Sequence, residues 1–269
     1  MLETINQTTS YIDQKIKNKP EIGIILGTGL AALVKEIEVE TILSYEDIPN
    51  FPVSTVEGHY GKLIFGKLGG KQVMAMQGRF HFYEGYTMQQ VTFPVRVMKF
   101  MGIETLFVSN ASGGMDPSFD VGDLMIINDH INLLPNPLIG KHYAEFGPRF
   151  PDMSHPYDKK LIEMAEVIAK ENGIEIKKGC YVGVTGPTLE TPKEYEFFRA
   201  IGGDTVGMST VPEIIVARQM GMKCFAISII TDLGVPGKIK EVSLEDILRA
   251  AAKAEPKMTF LIKKLIERI

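Results

Sequence analysis

The chain contains no tryptophan and only two cysteines, Cys180 and Cys224, among 269 residues. Both thiols sit in apolar, strand-like stretches without the spacing of a metal site or a redox pair. They read as reduced core residues and exclude a disulfide-stapled scaffold. Neither sign of charge is in excess: 29 Lys and Arg against 33 Asp and Glu give a formal net charge of −4. That leaves no broad electrostatic footprint for nucleic acid or an anionic membrane, although a local basic cluster still suits a small anion. Apolar runs stay far below the roughly 20 residues that span a bilayer, and the polar, acidic start "MLETINQTTS" does not read as a signal peptide. The expected location is the cytoplasm. Linkers, internal repeats and low-complexity tracts are missing too. The expectation is therefore one domain over residues 1–269, long enough for a sizeable core.

What is present has a regular order. "EIGIILG" (21–27) is a short apolar run ending in glycine, and "KLIFGKLGGKQVMAMQG" (62–78) reads as a hairpin turning at Gly69-Gly70. "ETLFVSN" (104–110), "DLMIIND" (123–129), "CYVGVTG" (180–186), "DTVGMS" (204–209) and "KCFAISIIT" (223–231) are further strands. Helical patterns lie between them: 88–102, where Pro94 demands a kink or a break, and 157–173, closed by Gly173. Three later helices declare their starts with capping boxes: "TPKE" (191–194), "TVPE" (210–213) and the weaker "SLED" (243–246). Strand, short loop and helix recurring in this way predict an α/β fold, a mixed and mostly parallel sheet flanked by helices.

In such folds the chemistry gathers at the carboxyl ends of the strands. "ILGTGLAA" places Gly27, Gly29 and Ala32 as G-x-G-x-x-A, with Glu46 and Asp47 near the distance of a ribose-binding acid. Taken alone it fits a Rossmann-type nucleotide-binding module, a simpler anion loop in which backbone N–H groups and Thr28 hold a phosphate, or a plain turn. In "GRFHFYEGY" (78–86), Arg79, His81 and Tyr83 alternate and would share one face of an extended segment, with Phe80 and Phe82 as anchors. Arg79 offers forked donors to a phosphate, and Glu84 either fixes the tautomer of His81 or is solvated. "NASGGMD" (110–116) lets backbone approach a ligand, or simply turns. His59 lies in a glycine-flanked loop, "VEGHYGKL". "TGPTLET" sets Glu190 before a helix start, as a cleft carboxylate or a dipole partner. In "GMSTVPE", Thr210 is taken by capping, which leaves Ser209 to meet an anion. There is no G-x-S-x-G serine and no His/Cys/Asp cluster with metal spacing, which argues against a hydrolase triad and a metalloenzyme. A phosphate site, a sugar site and one or two cleft carboxylates remain. Among the latter is Asp232 in "SIITDLG" (228–234), a charge just past a buried strand.

"GRFHFYEGY", "SNASGG", "GPTLET" and "VGMSTVPEIIVAR" together resemble the trimeric purine nucleoside phosphorylases, in the same order and from about residue 20 to the last helix. The resemblance implies a single α/β domain around a mixed sheet. It implies cleavage of a purine nucleoside by inorganic phosphate to free base and ribose 1-phosphate, with no metal and no organic cofactor. Phosphate would be held by Thr28, Arg79, His81, Ser209 and the backbone at Ala111, with His59 beside it. Tyr83 and Met208 correspond to ribose contacts. Glu190 corresponds to the carboxylate on the purine edge, and Leu189, Val206 and Phe150 complete the purine-binding set. Phe150 corresponds to an aromatic that reaches into a neighbouring subunit's site, so the implied active unit is a homotrimer.

Thr28 departs mildly from the family pattern, since many members have Ser there and the hydroxyl survives, and two further positions depart more. The family places an Asn at the position of Asp232, where it donates to purine N7. An ionised Asp cannot donate, so Asp232 must be protonated to act as an acid, or else accept from a 6-amino group. Leu244 stands where many members have a His facing the 5′-hydroxyl, and leucine there suits an apolar 5′ group. Both departures point toward the sister 5′-methylthioadenosine phosphorylases, whose activity is the alternative reading. His81, Glu190 and Asp232 are the expected catalytic residues.

Overall fold

A computed structural model describes residues 1–27, 32–53 and 60–269 of the chain. Thr28, Gly29 and His59 lie outside the described residues. Among the described residues nine strands form one sheet: β1 (Ile22–Leu26), β2 (Glu38–Ser44), β3 (Lys62–Leu68), β4 (Lys71–Gln77), β5 (Thr105–Gly114), β6 (Leu124–Asn132), β7 (Lys177–Gly183), β8 (Thr205–Gly207) and β9 (Lys223–Leu233). Their order is β2-β3-β4-β1-β5-β8-β7-β6-β9, and β9 also pairs with β5. The second half of the sheet therefore closes into a ring. Of the pairings among the described residues, five are parallel and four antiparallel, so the sheet is mixed with only a slight parallel majority. Every residue of β1 is buried, as are nine of the eleven in β9, all but Lys223 at the start and Leu233 at the end. Strands covered on both faces read as continuous apolar runs, and that is why these were legible. The half-exposed β2 carries no such run and gave no signal.

The helices are α1 (Leu2–Asp13), α2 (Met88–Val91), α3 (Phe93–Phe100), α4 (Lys159–Glu171), α5 (Pro192–Ala200), α6 (Val211–Gln219) and α7 (Leu244–Glu267). The predicted helix over 88–102 breaks at Thr92, and Pro94 falls in the first turn of α3, where its missing N–H costs no hydrogen bond. α5 and α7 start with the expected capping boxes at Thr191 and Ser243. α7 buries Ala251, Ala254, Met258, Leu261 and Leu265 at spacings of three and four, and packs on β9 and α4.

Three expectations are corrected. β1 is followed by a 3-10 turn over Ala32–Glu36 and not by an α-helix, so the described part of "ILGTGLAA" does not build the helix N-terminus that a dinucleotide fingerprint needs. The "NASGG" segment is not a loop, because β5 runs through Gly114. "TVPE" is not a capping box: Thr210 makes no cap bond and sits at φ 67°, ψ −55°.

Candidate active site

A cavity of about 310 Å³ opens where the ends of β4, β5 and β9 meet β8, the loop before α5 and the start of α7. Its walls include Arg79, His81, Tyr83, Ala111, Leu189, Glu190, Val206, Met208, Ser209, Asp232 and Leu244. Eleven residues that the sequence spreads from position 79 to position 244 thus share one cleft. Phe150 does not join them. It is 89% exposed, in the stretch before α4.

The floor at one end is built on Arg79, which is 1% exposed. Its Nε and Nη2 donate to Glu213 at 3.2 and 2.8 Å, and its Nη1 donates to the Ser109 carbonyl at 2.8 Å and to Ser209 Oγ at 3.1 Å. The sequence predicts the Arg79 fork for a phosphate and Glu213 for the helix cap. In the fold the fork closes on Glu213, which fixes the plane of the guanidinium. Room for this comes from Gly27: a Cβ there would lie 2.7 Å from the Ser109 carbonyl oxygen and 3.3 Å from Arg79 Nη1. Ser209 is turned into the cleft by a tight turn centred on Thr210, closed by Val211 N–H donating to the Ser209 carbonyl at 2.7 Å. A β-branched residue at positive φ costs about 1–3 kcal/mol. Thr210 is held there by Asn110, whose Nδ2 donates to Thr210 Oγ1 at 2.8 Å.

His81 is 6% exposed and stacks on Tyr83 at 4.6 Å between ring centres. Glu84 takes both its backbone N–H, at 2.8 Å, and its Nδ1, at 2.9 Å. Burial, ahead of the opposing effect of Glu84, pulls the imidazole below its ordinary value. The ring is therefore neutral at pH 7, with its proton on the Nδ1 side. Burial also raises the Tyr83 phenol to about 12, so it stays a donor.

The other end of the cleft holds the two carboxylates. Asp232 lies inside β9 and not beyond it. The β5–β9 register skips between Ser112↔Ile230 and Gly113↔Asp232, which leaves Thr231 as the extra residue of a β-bulge. The bulge turns both Thr231 and Asp232 to the cleft. Asp232 accepts from Thr231 Oγ1 at 3.0 Å and from the Tyr195 hydroxyl at 3.1 Å. Burial, outweighing these bonds, raises its carboxyl, and burial likewise leads the rise at Glu190. Leu244 lines the rim and is half exposed. Asn110, Thr231, Glu213 and Tyr195 were missed by the sequence reading. Nothing in their local spacing marks them, because their partners lie 37 to 134 positions away except for the Thr231–Asp232 pair.

This arrangement places hydroxyl, guanidinium and imidazole groups at one end of a half-closed cavity and protonatable carboxyls at the other. It can hold a small anion against a substrate whose leaving group takes up negative charge. The sequence profile of the phosphorylase superfamily matches residues 21–267. Purine nucleoside phosphorylase 1 of Bacillus subtilis is 52% identical, over 99% of this chain and 98% of its own length. The protein of the same name from Geobacillus stearothermophilus is 47% identical, over 98% of this chain and 97% of its own. The crystal structure of Schistosoma mansoni purine nucleoside phosphorylase in complex with adenosine superposes with a TM-score of 0.95 at 40% identity, covering 100% of this chain and 98% of that one.

Proposed function

The chain belongs to the phosphorylase superfamily, among its purine nucleoside phosphorylases, and from that premise we propose how its own cleft carries out the phosphorolysis of a purine nucleoside. Inorganic phosphate lies at the Arg79, His81 and Ser209 end, against the backbone of Ala111, with Thr28 and His59 completing its shell. The ribose rests on Tyr83 and Met208. The purine lies between Val206 and Leu189, facing Glu190 and Asp232. As the C1′–N9 bond breaks, its electron pair passes to the purine, and a phosphate oxygen forms the new bond to C1′. The phosphate stabilises the positive charge that develops on the sugar. A protonated Asp232 donates toward N7 and neutralises the departing base. His81, neutral and steadied by Glu84, accepts the remaining O–H of the hydrogen phosphate dianion through its other nitrogen. The products are the free base and ribose 1-phosphate, and no metal or organic cofactor has a role.

The observation that carries this reading is the convergence of Arg79, His81, Ser209, Glu190 and Asp232 on one cavity. A second reading, phosphorolysis of 5′-methylthioadenosine, draws on Leu244 at the rim beside Ile247, where an apolar 5′ group would meet apolar side chains. The proposal extends to a homotrimer, with Phe150 supplied to the neighbouring site, and to purine salvage in the cytoplasm. Among the described residues no helix is long and apolar enough to cross a membrane. The test is base release from inosine, guanosine, adenosine and 5′-methylthioadenosine, each with and without phosphate. Phosphate-dependent release from the first two is expected. Release without phosphate, or from none of the four, would sink the reading, and preference for the methylthio compound would replace it with the second.

A further inference from the structure

Among the described residues two arginines are more than nine-tenths buried, and their charges are met differently. Arg79 has Glu213. Arg96, in α3, is 5% exposed and forms no ion pair among the described residues. Its Nη1 and Nη2 both reach the Gln219 side-chain oxygen at 3.4 Å, and Nη1 also meets Met220 Sδ at 3.7 Å. A separation of 3.4 Å is beyond the usual N–H···O range of about 2.7–3.2 Å. Its Nε has no acceptor among the described residues. One face of the guanidinium is covered by the Phe146 ring, 4.0 Å away at its centre, which offsets part of the cost of burying the charge. Burial lowers the guanidinium only to about 10, so it stays charged at pH 7. Gln219, the last residue of α6, thus sets a neutral amide beside Arg96, whereas Glu213 in the first turn of the same helix sets a carboxylate beside Arg79. A buried cation without a counter-charge is unfavourable.

A cavity of about 190 Å³ adjoins this arginine and shares no residue with the catalytic cleft. Among the described residues its walls carry Arg96, Lys141, His142 and Arg149 and no carboxylate. Glu145, in the same segment, is exposed and is not one of them. The segment 137–149 that closes the cavity is fixed by three side chains. Arg149 Nη1 donates to the Leu138 carbonyl at 3.1 Å and the Gly140 carbonyl at 3.0 Å, and Gln89 Nε2 donates to the Ile139 carbonyl at 3.1 Å. Gln219 Nε2 donates to the Pro148 carbonyl at 3.1 Å, which turns its amide oxygen to Arg96. The volume is below the roughly 300 Å³ at which pockets for drug-sized ligands begin. It suits a small tetrahedral oxyanion and not a nucleotide.

We propose that this cavity is a second anion site, which takes a phosphate group, free or on a small ester, with Arg96 as its buried anchor and Lys141 as a cation at its rim. The planar donors of a guanidinium match a phosphate in geometry as well as charge. The bound anion supplies the counter-charge that Arg96 lacks, and it ties the segment 137–149 to α3 and α6. The site does not depend on the reaction assigned to the catalytic cleft.

The experiment measures binding of inorganic phosphate and of glycerol 3-phosphate by calorimetry, on the full chain and on Arg96→Met and Lys141→Gln. The parent is expected to take one phosphate group more per chain than Arg96→Met. Lys141→Gln, a change at an exposed position, is expected to weaken that extra binding about tenfold. Phosphate should also raise the melting temperature of the parent more than that of Arg96→Met. The KM for phosphate in nucleoside cleavage should be the same in all three proteins, because neither residue lines the catalytic cleft. Tighter binding of the ester would name an ester as the source of the group, tighter binding of inorganic phosphate would name the free ion, and either supports the site. Equal binding by the parent and both variants overturns the proposal. So does a loss of binding matched by an equal rise in the KM for phosphate, which would place the effect in the catalytic cleft. If Arg96→Met does not fold, Lys141→Gln decides by the same two criteria.

Discussion

Asp232 carries a carboxyl that burial raises, so the folded chain keeps this proton at pH values where the unfolded chain has released it. The resulting stability is fully present below the unfolded value of about 3.9 and is lost as pH rises through the folded value. Asp232→Asn removes that loss. The melting temperature of the variant relative to the parent is expected to climb as pH rises above about 4. A difference that stays flat across that range would mean Asp232 titrates alike in both states. Arg79 gives a different kind of single-residue effect. Its charge is balanced inside the protein by Glu213, at 2.8 Å, with both side chains almost fully buried. Glu213→Gln leaves a buried guanidinium without its counter-charge. It is expected to cost about 3 kcal/mol of unfolding free energy in a urea titration, and to raise KM for phosphate more than KM for the nucleoside. Intact stability in that variant would contradict the assignment of the pair as a structural anchor.

At the scale of elements, helix starts deliver the cleft residues. The Thr191 cap accepts from Glu194 N–H while Glu194 takes the Thr191 N–H, and Glu190 is the residue immediately before it. Thr191→Ala is expected to cost about 1 kcal/mol in thermal or chemical unfolding, and to weaken nucleoside binding while leaving the phosphate KM in place. Equal changes in both constants would argue that the cap does not position Glu190. The 243–246 cap does the same for Leu244. "TPKE" and "SLED" were readable because a capping box is a local contract between residues three apart. "TVPE" has the same letters and a different fate. There Glu213 finds Arg79, 134 positions away, and Thr210 finds Asn110, 100 positions away. The competing partners exist only once β4, β5 and α6 are packed together. The β9 bulge was hidden for the same reason, since a register skip belongs to a pair of strands and not to either one.

For the whole molecule the open feature is Phe150, 89% exposed with Arg149 beside it and not among the residues that line its own cleft. An aromatic ring left in water on a chain this well packed fits the proposed trimer, in which it serves a neighbour. Phe150→Ala should lose activity. Co-refolding it with His81→Ala, which has a disabled site but an intact ring to donate, should recover activity above the sum of the separate proteins. Light scattering on the parent should give three times the 29.9 kDa chain mass. Absence of recovery in a mixed trimer would place Phe150 outside the neighbour's site.

The sequence by itself determined the strand cores, because strands buried on both faces are written as unbroken apolar runs. It determined two of the three helix caps, because capping is local. It also supplied the ordered motifs that mark the family, including the positions where this chain departs from them. Only the tertiary structure decided what those residues touch. It turned Arg79 onto Glu213, bulged β9 so that Thr231 and Asp232 face the same cavity, and brought the Tyr195 hydroxyl to Asp232. Each of these rests on a contact between groups far apart in the chain, and such contacts have no energy to express until the sheet closes and water leaves the cleft.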